Sequence, residues 1–268
     1  MGNLIYLYGL IPTKEAEERS LPNLKGFDAT RDIHKIHLGK VTAIVCTVDE
    51  DEYSEDTLKE RINNDMEWLQ EKAFHHHETV LTLSRMFTIV PLKFCTLYKS
   101  PDRLSEVVHS NEDKLISAFA LIKGNEEWNL KIYCDDKLLK KQVSQSNPTI
   151  EAKRLEISQL SKGKQFFEKK KLDKLIDSEI EKEKNKISER IHSHLKGLAL
   201  KGDVKKTWSN EATGKKEDMT WNSVYLISET KVEPFLEEVQ RYERDMQEKG
   251  WKFEVSGPWP AYHFTSFS

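Results

Sequence analysis

The sequence contains little cysteine, glycine and proline, and it has no long hydrophobic run. Among 268 residues there are 3 cysteines, 11 glycines and 8 prolines. Cys46, Cys95 and Cys134 lie in three separate apolar segments with no Cys-x-x-Cys spacing, a pattern that indicates neither a disulfide framework nor a zinc knuckle. We therefore expect three buried free thiols.

The sequence also has no excess of positive charge. Its formal net charge is −3, with 37% hydrophobic and 32% charged residues, a composition that predicts a folded chain and provides no broad positive field for nucleic acid or anionic lipid. No segment approaches the roughly 20 apolar residues that cross a bilayer. Residues 1–10 lack the basic region and long apolar run of a signal peptide. We expect a cytoplasmic protein that binds neither nucleic acid nor membrane.

The known signatures of catalysis and cofactor binding are absent as well. The glycines are scattered singly, so no phosphate-binding loop is formed, and neither a Gly-x-Ser-x-Gly nor a His-Glu-x-x-His motif occurs. The run from His75 to His77 falls in a helical pattern, where neighbouring side chains point about 100° apart and cannot converge on one ion. Of the three, His77 falls on the predicted apolar face. We predict no catalytic residue, no cofactor and no metal site.

Hydrophobic periodicity in the first half of the chain predicts an α+β domain over residues 1–124. A strand at Leu4–Tyr8 is followed by a predicted hairpin that turns at Gly39 and Lys40. Apolar residues then recur at helical spacing for about thirty residues from Ser54. Beyond this helix the pattern predicts a strand over 87–96, with Pro91 at an edge or bulge, and a helix over 101–123 that stops at Gly124.

The second half predicts another α+β domain over residues 125–268. Its elements occur in the order β-α-β-β-α-β, which is the split βαβ arrangement of ferredoxin-like domains. The first helical region, 148–200, is long and densely charged, either as one helix or as two with a break near Gly163. The remaining elements are strands at 128–134, 204–209, 219–228 and 251–255, and a helix at 233–249.

The carboxyl-terminal segment 257–264 combines two prolines with three aromatic residues. Such a segment is stiff and extended, and it carries a large apolar surface. Two interpretations stay open: it packs across its own domain, or it receives a partner, since exposed aromatic surface is otherwise a liability.

Five segments of the sequence form a recognisable set: Tyr6-Leu-Tyr-Gly9, Trp68-Leu69 through Lys72-Ala73 to His77 and Val80, Val90-Pro-Leu-Lys-Phe-Cys-Thr96, Glu127-Trp128-Asn-Leu-Lys131 and Gly257-Pro-Trp-Pro-Ala-Tyr-His-Phe264. Taken together, these segments resemble the gas vesicle protein F/L family. Their order and spacing cover nearly the whole chain, with two departures: Cys95 stands where a glycine is more usual, and Ala261 where a second proline is common.

The resemblance implies a two-domain α+β protein whose second domain is a modified ferredoxin-like fold. It further implies a non-enzymatic assembly factor or minor component of gas vesicles that contacts the small, hydrophobic shell subunit, and with it other vesicle accessory proteins. On this basis we expect partner binding by Trp259, Tyr262 and Phe264, with Trp128 in support.

Three alternatives remain at this point. The first is a permanent component or adaptor of the vesicle wall, without an activity that keeps the subunit from aggregating. The second is a small-molecule enzyme using a ferredoxin-like cleft, which requires convergent polar groups in a pocket. The third is RNA binding through a sheet face, for which the basic and aromatic RNA-binding pattern is missing.

Overall fold

The computed structural model of the protein describes residues 2–265 and contains two sheets with helices around them. The chain forms two compact units: the first takes in the residues up to Glu127 and resumes at Pro258, and the second is Trp128–Gly257. The elements up to Ile122 are β1 (Asn3–Pro12), α1 (Thr13–Glu18), β2 (His34–Leu38), β3 (Val41–Asp49), α2 (Glu50–Tyr53), α3 (Glu55–Asn64), α4 (Met66–Ser84), β4 (Val90–Pro91), β5 (Leu97–Tyr98), α5 (Pro101–Ser110) and α6 (Glu112–Ile122).

The elements after Ile122 begin with a strand that three successive helices separate from the next strand. They are β6 (Asn125–Cys134), α7 (Asp136–Ser146), α8 (Pro148–Ser158), α9 (Lys162–Lys196), β7 (Lys201–Val204), α10 (Asn210–Thr213), β8 (Asp218–Ser228), α11 (Val232–Met246) and β9 (Trp251–Trp259). Short 3₁₀ turns precede and follow α11.

The sheet of the first unit is buried on both faces. Its strand order is β2-β3-β1-β4, and β5 also pairs with β1. Alternate residues of β1 enter two different cores: Tyr6 and Tyr8 lie on the α4 side, whereas Ile5 and Leu7 lie on the side of α5 and α6. Because both faces are covered, β1 is almost continuously apolar in sequence.

A bulge in β1 changes which residues face each core. The pairing register with β3 shifts between Leu7 and Gly9, so that Leu10 joins the core of Leu7 and Ile11 joins the core of Tyr8. The hairpin of β2 and β3 turns at Gly39 as predicted, with a φ of 73° that glycine adopts without steric cost.

The predicted thirty-residue helix is in fact two helices, α3 and α4. The chain is interrupted at Asp65, whose carboxylate caps α4 by accepting a hydrogen bond from the Trp68 backbone N–H at 3.0 Å. The buried face of α4 also differs from the prediction: His76 is buried, His77 is only partly buried, and Met66 is 63% exposed. The break at Asp65 resets the helical register, which a continuous pattern cannot reveal.

Two further elements are shorter than predicted. Of the strand expected over 87–96, only β4 forms. Pro91 lies in this edge strand, where a residue without a backbone N–H is tolerated. The helix expected over 101–123 divides at Asn111 into α5 and α6, and it stops before Gly124, which adopts a φ of 69°.

The second unit has one sheet, with the strand order β7-β8-β6-β9. Its core joins β6 and β8 to the inner faces of the long helices, through residues such as Leu130, Ile180, Tyr225 and Phe235. The charged region after Pro148 is two helices, α8 and α9, as one of the predicted alternatives had it.

The carboxyl-terminal segment belongs to the first unit, not to the second domain as predicted. From Pro258 onward its residues contact the cores on both sides of the first sheet: Ala261 enters the α5 and α6 side, and Tyr262 the α4 side. Sequence order suggested the neighbouring domain, whereas apolar burial decided the location of the segment.

Candidate functional site at the carboxyl-terminal segment

The three consecutive histidines of α4 point in three different directions, as their 100° spacing requires. His76 points inward and is 3% exposed. His75 lies beside Tyr8, with its Nε2 3.3 Å from the Tyr8 hydroxyl. His77 points to the surface, where its ring centroid is 5.2 Å from that of Trp259. Over residues 2–265 no group of three or more His, Cys, Asp or Glu side chains is placed to hold a metal ion.

His76 is held by a complete set of hydrogen bonds. Its Nδ1 lies 2.7 Å from the Tyr6 hydroxyl and its Nε2 3.1 Å from the Leu92 carbonyl oxygen. A carbonyl can only accept, so Nε2 carries the proton and Nδ1 accepts from Tyr6. Tyr6 in turn accepts from the Cys95 backbone N–H at 3.3 Å. Burial lowers the pKa of His76 to about 4, so the ring is neutral at physiological pH.

The same histidine contacts the carboxyl-terminal segment. The Tyr262 hydroxyl lies 3.4 Å from Nε2 of His76, and burial raises the pKa of that hydroxyl. The following residue is also fixed, because the His263 backbone N–H donates to the Glu127 carboxylate at 3.0 Å. Glu127 is only 4% exposed. These contacts attach the segment to the first unit at two successive residues.

One surface beside this attachment exposes large aromatic side chains. Trp259 is 36% exposed and Phe74 is 66% exposed. Phe74 is one helical turn from His77 on α4, and His77 contacts Trp259. We refer to Phe74, His77 and Trp259 as the aromatic surface. The attachment through Tyr262 holds Trp259 in place, which lowers the entropy lost when a partner covers it.

The four predicted contact residues differ in their surroundings. Trp259 belongs to the aromatic surface, whereas Tyr262 is partly buried and packs against the core on the α4 side. Phe264 is partly buried, with its ring centroid 4.9 Å from that of His263. Trp128 lies in the second unit and packs against the core of that unit. Sequence reasoning missed Phe74, although an aromatic residue on the polar side of an amphipathic helix was a signal that could have found it.

Cys95 occupies a strained backbone position. Its φ is 60°, in the left-handed region that glycine favours. The predicted strand is absent here, and the residue lies in the loop between β4 and β5. All three cysteines are free; Cys46 and Cys134 are buried as expected, and Cys95 is partly buried. Burial raises the thiol pKa of both Cys95 and Cys134 to about 12, which suppresses thiolate reactivity.

Two clefts lie in the second unit. One, of about 470 Å³, lies among α7, α9 and the start of β9, and the other, of about 530 Å³, borders Tyr133, Lys215 and Glu254. In the second cleft Lys215 and Glu254 neutralise each other at 2.6 Å, and the pKa of Glu254 is lowered chiefly by that hydrogen bond. Within residues 2–265 no helix is both long and apolar enough to span a bilayer.

Comparison with known proteins agrees with this architecture. The family model described as gas vesicle synthesis protein GvpL/GvpF matches residues 4–266. The protein is therefore a mixed helix-and-sheet protein of the gas vesicle class, and the chain belongs to the GvpL/GvpF family.

Individual relatives are distant but extend over most of the chain. Gas vesicle protein L from Streptomyces sp. (strain CB03234) is 21% identical over 230 residues, which are 86% of this chain and 82% of that protein. The crystal structure of GvpF from Anabaena sp. PCC7120 matches with a TM-score of 0.75 at 19% identity and covers 100% of both chains. GvpF from Microcystis aeruginosa matches with a TM-score of 0.68 at 18% identity, covering 98% of this chain and 99% of that one.

Proposed function

We propose that the protein binds the hydrophobic shell subunit of gas vesicles and limits its aggregation before assembly. Membership of the GvpL/GvpF family supports a gas vesicle role. The observation that carries the finer proposal is the aromatic surface, where Phe74 on α4 and Trp259 on the attached segment are both exposed and both neighbour His77. A subunit hydrophobic enough to line a gas space exposes apolar surface before it assembles, and that surface must be covered.

The chemistry of the aromatic surface fits an apolar partner. A tryptophan ring bears most of its area as hydrocarbon and loses little rotamer entropy on binding, which makes it a frequent hot spot in interfaces. Phe74 adds a second ring of the same kind on α4. Truncating both rings should weaken binding by about 2 kcal/mol or more, roughly thirtyfold in affinity.

The experiment compares light scattering of the purified shell subunit with and without this protein. We expect the wild type to suppress scattering at equal molar amounts, and a Phe74→Ala and Trp259→Ala double variant to lose most of that effect. The matched control is Trp208→Ala in the second unit, because Trp208 is 49% exposed but lies outside the aromatic surface. Unchanged scattering with the wild type would refute the aggregation-limiting function.

A second measurement separates a released assembly factor from a permanent wall component. Isolated vesicles are washed with urea, and the protein that stays bound is quantified. Release of the protein, with the vesicles intact, supports a transient role. Retention would instead assign it to the wall.

We also propose that the second unit is a modified ferredoxin-like domain. Its strands and its two longest helices, α9 and α11, follow the β-α-β-β-α-β order, and the first and third strands, β6 and β8, occupy the centre of the sheet. The departures from that order are α7 and α8, which precede α9 between β6 and β7, and the short α10 between β7 and β8. This geometry supports the proposal, and an experimental structure of the isolated unit tests it.

A further inference from the structure

Two helical regions of the chain expose large apolar side chains amid charges of opposite sign. The first is residues 50–78, which carry ten carboxylates and three basic side chains. Met66 is 63% exposed and Ile62 is 36% exposed in this region. We refer to the outer side of α3 and the start of α4, with Ile62 and Met66, as the acidic surface.

The second region is the helical hairpin of α8 and α9, residues 148–175, which carry eight basic side chains and four carboxylates. Phe166 is 64% exposed and Phe167 is 69% exposed, with ring centroids 5.8 Å apart. Leu155 on α8 is 64% exposed, and Lys170 lies over the Phe166 ring at 5.8 Å. We refer to this end of the hairpin as the basic surface.

The charges on both surfaces are left partly unneutralised within the described residues. Lys162, Lys164 and Lys169 at the hairpin have no ion-pair partner there, and neither do Glu60 and Glu67 on the acidic surface. A solvated helix face is normally laced with local ion pairs and contains few large apolar residues. Both surfaces therefore differ from an ordinary solvated face, because they expose large apolar side chains and carry charges without ion-pair partners.

The two surfaces are complementary to each other. Each combines exposed apolar side chains with charges that lack an ion-pair partner in the described residues, and the signs are opposite. We propose that the basic surface of one copy of this chain binds the acidic surface of a second copy, in a head-to-tail contact. Burial of Phe166, Phe167 and Met66 supplies the driving force, and the lysines and glutamates set orientation and association rate.

A head-to-tail contact has a distinctive consequence for assembly. Each copy presents one surface of each kind, so bound copies still carry a free basic surface at one end and a free acidic surface at the other. Short open oligomers or rings therefore form as concentration rises. The contact should weaken as salt is added, because at about 1 M ionic strength the Debye length falls to about 3 Å.

The experiment measures the mass of the full chain by sedimentation velocity over a range of concentrations. We expect wild-type protein to form dimers and higher oligomers at about 0.05 M salt and to lose most of them at about 0.5 M. Two surface variants are prepared, Phe166→Ser with Phe167→Ser, and Ile62→Ser with Met66→Ser. All four side chains are at least 36% exposed, so both variants should unfold at nearly the wild-type temperature.

Mixing the two variants provides the decisive comparison. Alone, each variant lacks one of the two complementary surfaces and stays monomeric. Mixed at equal amounts, each still supplies the surface that the other lacks, so a one-to-one dimer forms and stops there. A further variant with Lys164→Glu and Lys169→Glu, which leaves the apolar residues in place, should reduce the association at least tenfold at low salt.

Three results would overturn the proposal. The first is wild-type protein that stays monomeric at every concentration in low salt. The second is a pair of variants that does not combine on mixing, since the intact basic surface of one and the intact acidic surface of the other would then not bind each other. The third is association that neither variant reduces.

Discussion

Acid should destabilise the first unit through His76. In the unfolded chain an imidazole has a pKa of about 6.5, whereas burial lowers the pKa of His76 to about 4 in the folded protein. Between these two values the unfolded state binds more protons than the folded state, so the free energy of unfolding rises with pH. The stabilisation is complete above about pH 6.5 and is lost as the pH falls toward about 4.

The size of this effect follows from the two pKa values. Their difference corresponds to about 3 kcal/mol, of which about 2 kcal/mol is already lost at pH 5. The structure accounts for this loss of stability, because protonation of Nδ1 removes the acceptor for the hydrogen of the Tyr6 hydroxyl. The Tyr6 hydroxyl already accepts from the Cys95 N–H, so its own hydrogen would then be left buried without an acceptor.

The assay is urea unfolding of the wild type and of His76→Gln at about pH 7.5 and about pH 5. Burial also lowers the pKa values of His75 and His192, which adds a pH dependence of the same sign in both proteins. Subtracting the variant from the wild type isolates His76. Thr79→Val is the matched control, because Thr79 is buried on the same helix and does not titrate. Parallel pH profiles for wild type and His76→Gln would refute this reasoning.

Three further predictions concern stability. Cys95→Gly should stabilise the protein by about 1 kcal/mol in chemical unfolding, because φ is 60° at this position, while Cys95→Ala keeps the strain and should not stabilise it. Tyr262→Ala should cost about 2 kcal/mol by opening the core beside His76, and Tyr262→Phe less than half of that; equal losses would contradict burial as the cause. Lys184→Ala should lower the free energy of unfolding by about 2 kcal/mol, because the Lys184 ammonium lies 2.5 Å from Asp136 and the side chain is only 5% exposed. Lys184→Met should restore much of this loss, because its side chain packs where the lysine stem lay. Thermal unfolding of both variants measures the difference.

Different residues of the carboxyl-terminal segment attach it to the first unit and contact the proposed partner. Tyr262 and His263 are held by the first unit, so the segment is positioned before any partner arrives. Trp259 then needs no large rearrangement to present its ring, and truncating it should leave the unfolding temperature nearly unchanged. Truncating Phe264 should lower the unfolding temperature more than truncating Trp259, because the Phe264 ring is partly buried.

Local pattern alone was enough for most elements of the second half of the chain. Alternating apolar residues indicated β6 and β8, and apolar residues at helical spacing indicated α9 and α11. The pattern missed α7, and the strand that it predicted at 204–209 is β7 at Lys201–Val204. These patterns are local, because each element must present one apolar side to a core wherever that core lies. The family resemblance rested on short motifs, and the family model confirms it over residues 4–266.

Tertiary structure alone decided which residues lie together. The Asp65 break turned α4 so that His76, and not His77, is buried, and the cap that causes this break is a single side-chain hydrogen bond. The carboxyl-terminal segment joined the first unit because Ala261 and Tyr262 find apolar cores there. Phe74 and Trp259 are 185 positions apart in the chain, by the difference of their numbers, yet they share a surface through His77. Contacts of this range depend on how complete surfaces fit together, and no periodicity in the sequence encodes that fit.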